Sequence, residues 1–169
     1  MPMDENQRQL ASEILAILEA HGDVCLDDLA VMTGKPVETV RQIWEQLTDQ
    51  GVLVRKNVVI NWDRWGEERV LARVELKLIP EREYGFDKVA ERIARYPQVK
   101  ELQLMSGSYD LSVLIEGKTL REVADFVAQR LAALDQVSGT STYFVLKTYK
   151  QQGILLEKMD DDPRLEVTP

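Results

Sequence analysis

Apolar residues in the first sixty positions recur at helical spacing, in three blocks separated by glycine. Leu10, Ile14, Ile17 and Leu18 share one side of a helix that Asp4 and Gln7 can open as a capping box and Gly22 can end. A second, short helix is predicted over 27–33, with Leu29, Ala30 and Met32 available for burial and Gly34 suited to the left-handed turn that stops it. Pro36 suits the first turn of a third helix, which directs Val37, Val40, Ile43, Trp44 and Leu47 inward and ends at Gly51. Two β-prone runs, Val52-Leu53-Val54 and Val58-Val59-Ile60, flank Arg55-Lys56-Asn57 and read as a hairpin. Three helices and a hairpin predict a winged helix-turn-helix.

The period changes beyond residue 60. The segment 61–69, NWDRWGEER, is aperiodic and charged and reads as a linker whose tryptophans dock against a neighbour. From Val70 to Ile79 the chain alternates, with Val70, Ala72, Val74, Leu76 and Leu78 on one face and Arg73, Glu75 and Lys77 on the other. A helix follows over 86–96, stopped by Pro97, and then two strands, 99–105 and 111–116, meet at Ser106-Gly107-Ser108-Tyr109-Asp110. Thr119 and Glu122 predict a capped helix burying Leu120, Val123, Val127, Leu131 and Leu134, and 140–150 alternates again. The order β-α-β-β-α-β predicts an α+β chain whose second domain is a ferredoxin-like plait. The expected divisions are a winged helix-turn-helix over 1–60, a linker over 61–69, a ligand-binding and oligomerisation domain over 70–150 and a C-terminal extension over 151–169. In that extension Ile154-Leu155-Leu156 either adds an edge strand or docks on a neighbouring subunit, and Asp160-Asp161-Asp162 reads as solvated charge.

Composition narrows the function. A net charge of −8 argues against a protein that coats nucleic acid or anionic membrane, and no apolar run approaches spanning length. The single cysteine, Cys25, lies between Val24 and Leu26 and is expected to be a buried small hydrophobe in a reducing, cytoplasmic setting. Catalytic groups are scarce. His21, the one histidine, sits at a helix end where it can cap carbonyls, and no Cys/His metal spacing, nucleophile pair or glycine-rich phosphate loop is present. An enzyme, a metal site and a cofactor are therefore not expected.

Two constellations carry binding chemistry. In the helix-turn-helix, Lys35, Thr39, Arg41 and Gln42 are placed to read base edges of double-stranded DNA, while Arg55 and Lys56, with Lys35, are placed for phosphates. Against this, residues 1–60 hold five Lys/Arg and ten Asp/Glu, a net of −5, and Glu38 and Glu45 lie on or near the reading face. The alternative is an oligomer of the same architecture with weak or lost DNA binding. In the hairpin, Ser106, Gly107, Ser108, Tyr109 and Asp110 concentrate donors and acceptors that suit an amino acid: Asp110 for its ammonium, the backbone amides for its carboxylate. Thr140, Ser141 and Thr142 add hydroxyls if they face the same pocket. Turn geometry alone is the competing explanation of Gly107 and Asp110.

With these pieces in place, the chain resembles Lrp/AsnC (feast/famine) transcriptional regulators along most of its length: the three-helix segment ending QLTDQGVL, the hairpin SGSYDLSVLIEG and the last strand TSTYFVLKTYK. The resemblance implies homodimers formed through the plait sheets, stacking into higher assemblies, and a small-molecule effector such as an amino acid bound between plait domains near the glycine-containing hairpin. It points to the residues from Ser106 to Asp110, with Thr140 and Thr142, for the effector and to Thr39, Arg41 and Gln42 for DNA. The chain departs from the family in helix three, where Pro36-Val37 and Gln42 replace a serine and a second basic residue.

Overall fold

The computed structural model describes residues 3–79 and 85–157. The chain divides into two units, 1–60 and 61–169.

In the first unit, α1 (Glu5–His21) opens on the Asp4/Gln7 capping box and ends at Gly22, whose φ of 69° is a conformation few other residues adopt. Helix α2 (Leu26–Thr33) and helix α3 (Val37–Asp49) are joined by Gly34 in the left-handed region. Ile14, Leu29, Val40 and Ile43 pack as the centre of this core, with Leu10, Leu18 and Leu47 around them. Three expectations fail here. Cys25 is exposed, because its thiol accepts the Asp28 N–H as the N-cap of α2 instead of packing inward. Met32 is exposed, since an eight-residue helix has one turn facing the core and Leu29 and Ala30 fill it. The wing hairpin is absent among the described residues: after a turn at 51–53 the chain forms no strand and pairs with none as far as Ile60, and Val54 and Val58 are exposed. Two three-residue strands bury too little to hold together without a third.

The second unit begins with a short helix, α4 (Trp62–Trp65), inside the segment expected as a linker. Trp62 lies under the Arg69 guanidinium at 3.5 Å, whereas Trp65 is 75% exposed, contrary to the expected docking of both. Strands β1 (Val70–Leu78), β2 (Val99–Leu104), β3 (Leu111–Gly117) and β4 (Val137–Phe144) form one antiparallel sheet in the order β2-β3-β1-β4. Helix α5 (Asp87–Ala94) follows β1 and α6 (Leu120–Phe126) follows β3, giving β-α-β-β-α-β. The two helices cover one face, where Ala72, Val74 and Leu76 of β1 and Val113 and Ile115 of β3 meet Val89, Ile93, Val123 and Phe126. Tyr96 and Phe126 add an edge-to-face contact at 5.3 Å. Leu120 is exposed rather than buried, and α6 continues into a π-helical turn, Val127–Leu131, closed by Ala132 N–H donating to the Val127 carbonyl.

The last predicted strand ends at Phe144. Among the described residues Lys150–Gln151 (β5) and Ile154–Leu155 (β6) pair with each other in a separate two-stranded sheet, and the apolar C-terminal group adds no edge strand to the main sheet. The acidic run 160–162 lies outside the described residues.

Candidate functional site

The β2–β3 hairpin is stitched to the central strand through Asp110. Met105 N–H donates to the Asp110 carbonyl at 2.8 Å and Asp110 N–H donates to the Leu76 carbonyl at 2.9 Å. Strand β3 begins at Leu111, opposite Leu76, so the Leu78 N–H lies beyond the ladder; the Asp110 carboxylate takes the place of the missing carbonyl, accepting it at 2.7 Å. Lys77 Nζ reaches the other carboxylate oxygen at 3.2 Å. The Leu78 N–H holds the Asp110 carboxyl below its ordinary value of 3.8; burial works against that shift and Lys77 adds to it. The carboxylate expected to meet a ligand's ammonium is therefore already engaged in holding the hairpin against β1.

The rest of the turn is unlike Asp110. Ser106, Gly107 and Ser108 are exposed, and neither their side chains nor their backbone N–H groups have partners among the described residues. Gly107 is not in the left-handed region, and a Cβ built on it would meet nothing within 4 Å. Turn geometry thus accounts for Asp110 and not for Gly107. Tyr109 is half-buried, with its hydroxyl 2.7 Å from Ser141 Oγ on β4.

Strand register sorts the three hydroxyls of β4. Thr140 pairs opposite Leu76 and Thr142 opposite Val74, which puts both on the helix-covered face; Ser141 pairs opposite Glu75 and faces the open side. The structure brings Ser141 to the hairpin and separates Thr140 and Thr142 from it, a correction to the expected grouping. On the open face Arg73 donates to Ser112 Oγ at 3.0 Å and to Glu101 at 3.3 Å. Ser141 and Glu75 were legible as neighbours only through this pairing, which no local pattern reveals.

In the first unit, α3 buries Val40, Ile43 and Leu47 and turns Arg41 and Gln42 to solvent; Lys35 and Arg55 are also exposed, and Thr39 is half-buried at the edge of that face. Glu38, Glu45 and Asp49 are exposed on the same helix, and Glu38 lies 3.6 Å from Arg41 Nε. Its i,i+3 spacing was the available signal for this pair. Lys56 differs from the expected phosphate contact: its ammonium donates to the Val24 carbonyl and sits 4.9 Å from the Trp44 ring. With the wing unpaired, Arg55 is carried on irregular chain.

Among the described residues no group of three His, Cys, Asp or Glu side chains could hold a metal ion, and no helix is long and apolar enough to cross a membrane.

A helix-turn-helix unit joined in one chain to a plait with a polar, exposed hairpin defines a two-unit transcriptional regulator. The family described as "Lrp/AsnC ligand binding domain" matches residues 71–155, half of the chain. Over 159 residues the chain is 43% identical to YugG, an uncharacterised HTH-type transcriptional regulator of Bacillus subtilis, covering 94% of this chain and 96% of that one. Two solved structures share the fold: E. coli AsnC, with a TM-score of 0.65 at 16% identity over 89% of this chain and 97% of that one, and the NMB0573/L-Met complex of Neisseria meningitidis, with a TM-score of 0.67 at 17% identity over 89% and 94%. The chain belongs to the Lrp/AsnC family of transcriptional regulators.

Proposed function

We propose that the chain binds double-stranded DNA through Lys35, Thr39, Arg41, Gln42 and Arg55, and senses an amino acid or related small metabolite at the hairpin of its plait domain. The observation that carries the sensing half is the set of unpaired amides and hydroxyls at Ser106–Ser108, beside the Tyr109–Ser141 pair and around a glycine that its own backbone geometry does not require. Glycine in such a place admits close approach by a ligand or by another backbone. That the same fold is seen with L-Met in NMB0573 supports an amino acid as the ligand class. Asp110 supports the site by fixing the hairpin to β1, and Tyr109 and Ser141 supply its hydroxyls; Thr140 and Thr142 stand apart from it.

The protein works by binding, in the cytoplasm, as a homodimer joined through its plait sheets and stacked into larger assemblies. A ligand shifts such an equilibrium only by binding one assembly better than another, and a changed assembly respaces two recognition helices on the DNA. Few phosphate contacts per subunit make a paired site the natural target.

Gel-shift titration of the full chain against its own upstream DNA at low salt, with and without pooled L-amino acids, tests both halves. The expected result is a sequence-selective shift that salt weakens and one or more amino acids alter. No selective shift under any condition overturns the DNA reading in favour of a metabolite-binding oligomer, the alternative that the Glu38–Arg41 pair and the net −5 of residues 1–60 favour.

A further inference from the structure

Glu38 counts against DNA binding by its charge, yet its position on α3 gives that charge a use. The helix buries Val40, Ile43 and Leu47, and its opposite face carries Glu38, Arg41, Gln42, Glu45 and Asp49. Glu38 stands in the first turn; Arg41 and Gln42, three and four residues later, lie one turn on and to either side of it. Its side chain is 73% exposed, and its carboxylate lies 3.6 Å from Arg41 Nε. A recognition helix meets base edges with its N-terminal residues. An approach that sets Arg41 and Gln42 against the bases therefore carries Glu38 into the major groove with them, while Glu45 and Asp49 lie farther along the helix.

In the groove a carboxylate gives up water and nears phosphates, and only a hydrogen-bond donor offsets that cost. Base edges offer few. Guanine presents N7 and O6 and thymine presents O4, all acceptors; adenine sets an acceptor, N7, beside its amino group. Cytosine alone presents a donor, N4, with no acceptor next to it on its own edge, and its paired guanine suits an arginine beside the carboxylate.

We propose that Glu38 is a specificity-determining residue: it accepts a hydrogen bond from cytosine N4 in each half-site and rejects guanine and thymine there, because their acceptor oxygens repel its carboxylate. This rests on the DNA-binding reading above. The charge that weakens binding to DNA in general thereby sharpens the choice between sites.

The test lets the full chain select duplexes from a random-sequence pool at low salt. Affinities for the enriched site and for each of its single-base variants are then measured by fluorescence anisotropy, with Glu38→Ala and Glu38→Gln alongside. The wild type is expected to fix cytosine at one position of each half-site and to lose about tenfold or more in affinity when that pair is replaced, the scale of a lost charge-assisted bond. Glu38→Ala accepts all four bases there within about threefold and keeps the other preferences, because its methyl group makes no directional contact. Glu38→Gln moves the preference to adenine, whose N6 and N7 match an amide. Both variants keep the wild-type salt slope, since no phosphate contact is removed. A wild type that enriches no sequence overturns the DNA-binding reading itself. An enriched site with no cytosine whose recognition depends on Glu38 overturns only the role of Glu38. So does a Glu38→Ala variant that binds every site more tightly by one common factor, because the carboxylate then acts through charge alone.

Discussion

Replacing Gly107 with alanine separates the two explanations of the hairpin. The Cβ would meet no atom within 4 Å, and the backbone there is not left-handed, so the folded state bears almost no cost. Alanine also narrows the unfolded ensemble, which stabilises by about 0.4–1 kcal/mol at a compatible site; for a unit of this size that raises Tm by about 2–5 °C. Gly117→Ala is the internal comparison. Its Cβ would lie 2.8 Å from Val123 Cγ2, against a side chain that is itself buried in the core. Overpacking of that kind costs about 1–3 kcal/mol, and the entropic gain offsets only part of it, leaving a net loss of about 1–2 kcal/mol. Urea denaturation of both variants, followed by circular dichroism, measures the two shifts. Amino-acid thermal shift and sedimentation then show whether the new methyl at 107 blocks approach: the affinity read from the ligand-induced stabilisation is expected to fall at least about tenfold, or the assembly to change, in a protein at least as stable as the wild type. A Gly107→Ala variant that loses as much stability as Gly117→Ala refutes the reading that the monomer leaves this glycine unexplained. One that keeps full ligand response and assembly refutes its functional use.

Asp110 should show itself in acid. Its carboxyl is held below 3.8 in the folded state, so its contribution is present above the unfolded value and is lost as pH falls through the folded one; the stability of the second unit, measured from pH 6 down to about pH 2, should fall less steeply in Asp110→Asn than in the wild type. On the recognition helix, Glu38→Ala removes a carboxylate beside Arg41 and should tighten binding to a random duplex about two- to fivefold, while Arg41→Ala should weaken it and reduce the slope of log affinity against log salt by about 0.9 in fluorescence anisotropy. The exposed Cys25 thiol should react with a disulfide reagent in the native protein; Cys25→Ser should keep the α2 cap, and Cys25→Ala should cost about 0.5 kcal/mol in urea unfolding.

The helices and main strands were legible because their evidence is local and repeated. The Asp4 box, Gly22, Gly34 and the Thr119 cap lie within a turn of the residues they serve, and the alternation from Val70 to Leu78 identifies a buried face without any knowledge of what covers it. What failed depended on distant partners. Val52–Val54 and Val58–Ile60 have strand propensity, yet a strand needs a ladder, and nothing among the described residues pairs with them. Leu120 and Met32 satisfy helical spacing at positions where a short helix has already turned its one buried face elsewhere. Cys25 is apolar by its neighbours and polar by its role, because capping depends on the helix that begins beside it.

The candidate site divides along the same line, and the division bears on mechanism. Ser106 to Asp110 could be picked out by composition, but one stretch of five residues performs two tasks that composition cannot separate. Asp110 spends its backbone and carboxylate on Leu76, Leu78 and Lys77, while Ser106 to Ser108 spend theirs on nothing among the described residues. The hairpin is therefore rigid at its base and unsatisfied at its tip. A ligand or neighbouring subunit that binds the tip pulls on a segment coupled by two hydrogen bonds and an ion pair to β1, the strand that runs between β3 and β4 in the sheet. A turn without that anchorage would absorb such a contact; Asp110 ties this one to the central strand. Coupling of that kind requires two arrangements with different ligand affinity, and the hairpin base supplies the stiff connection through which one plait can register what its neighbour or its ligand has done at the tip.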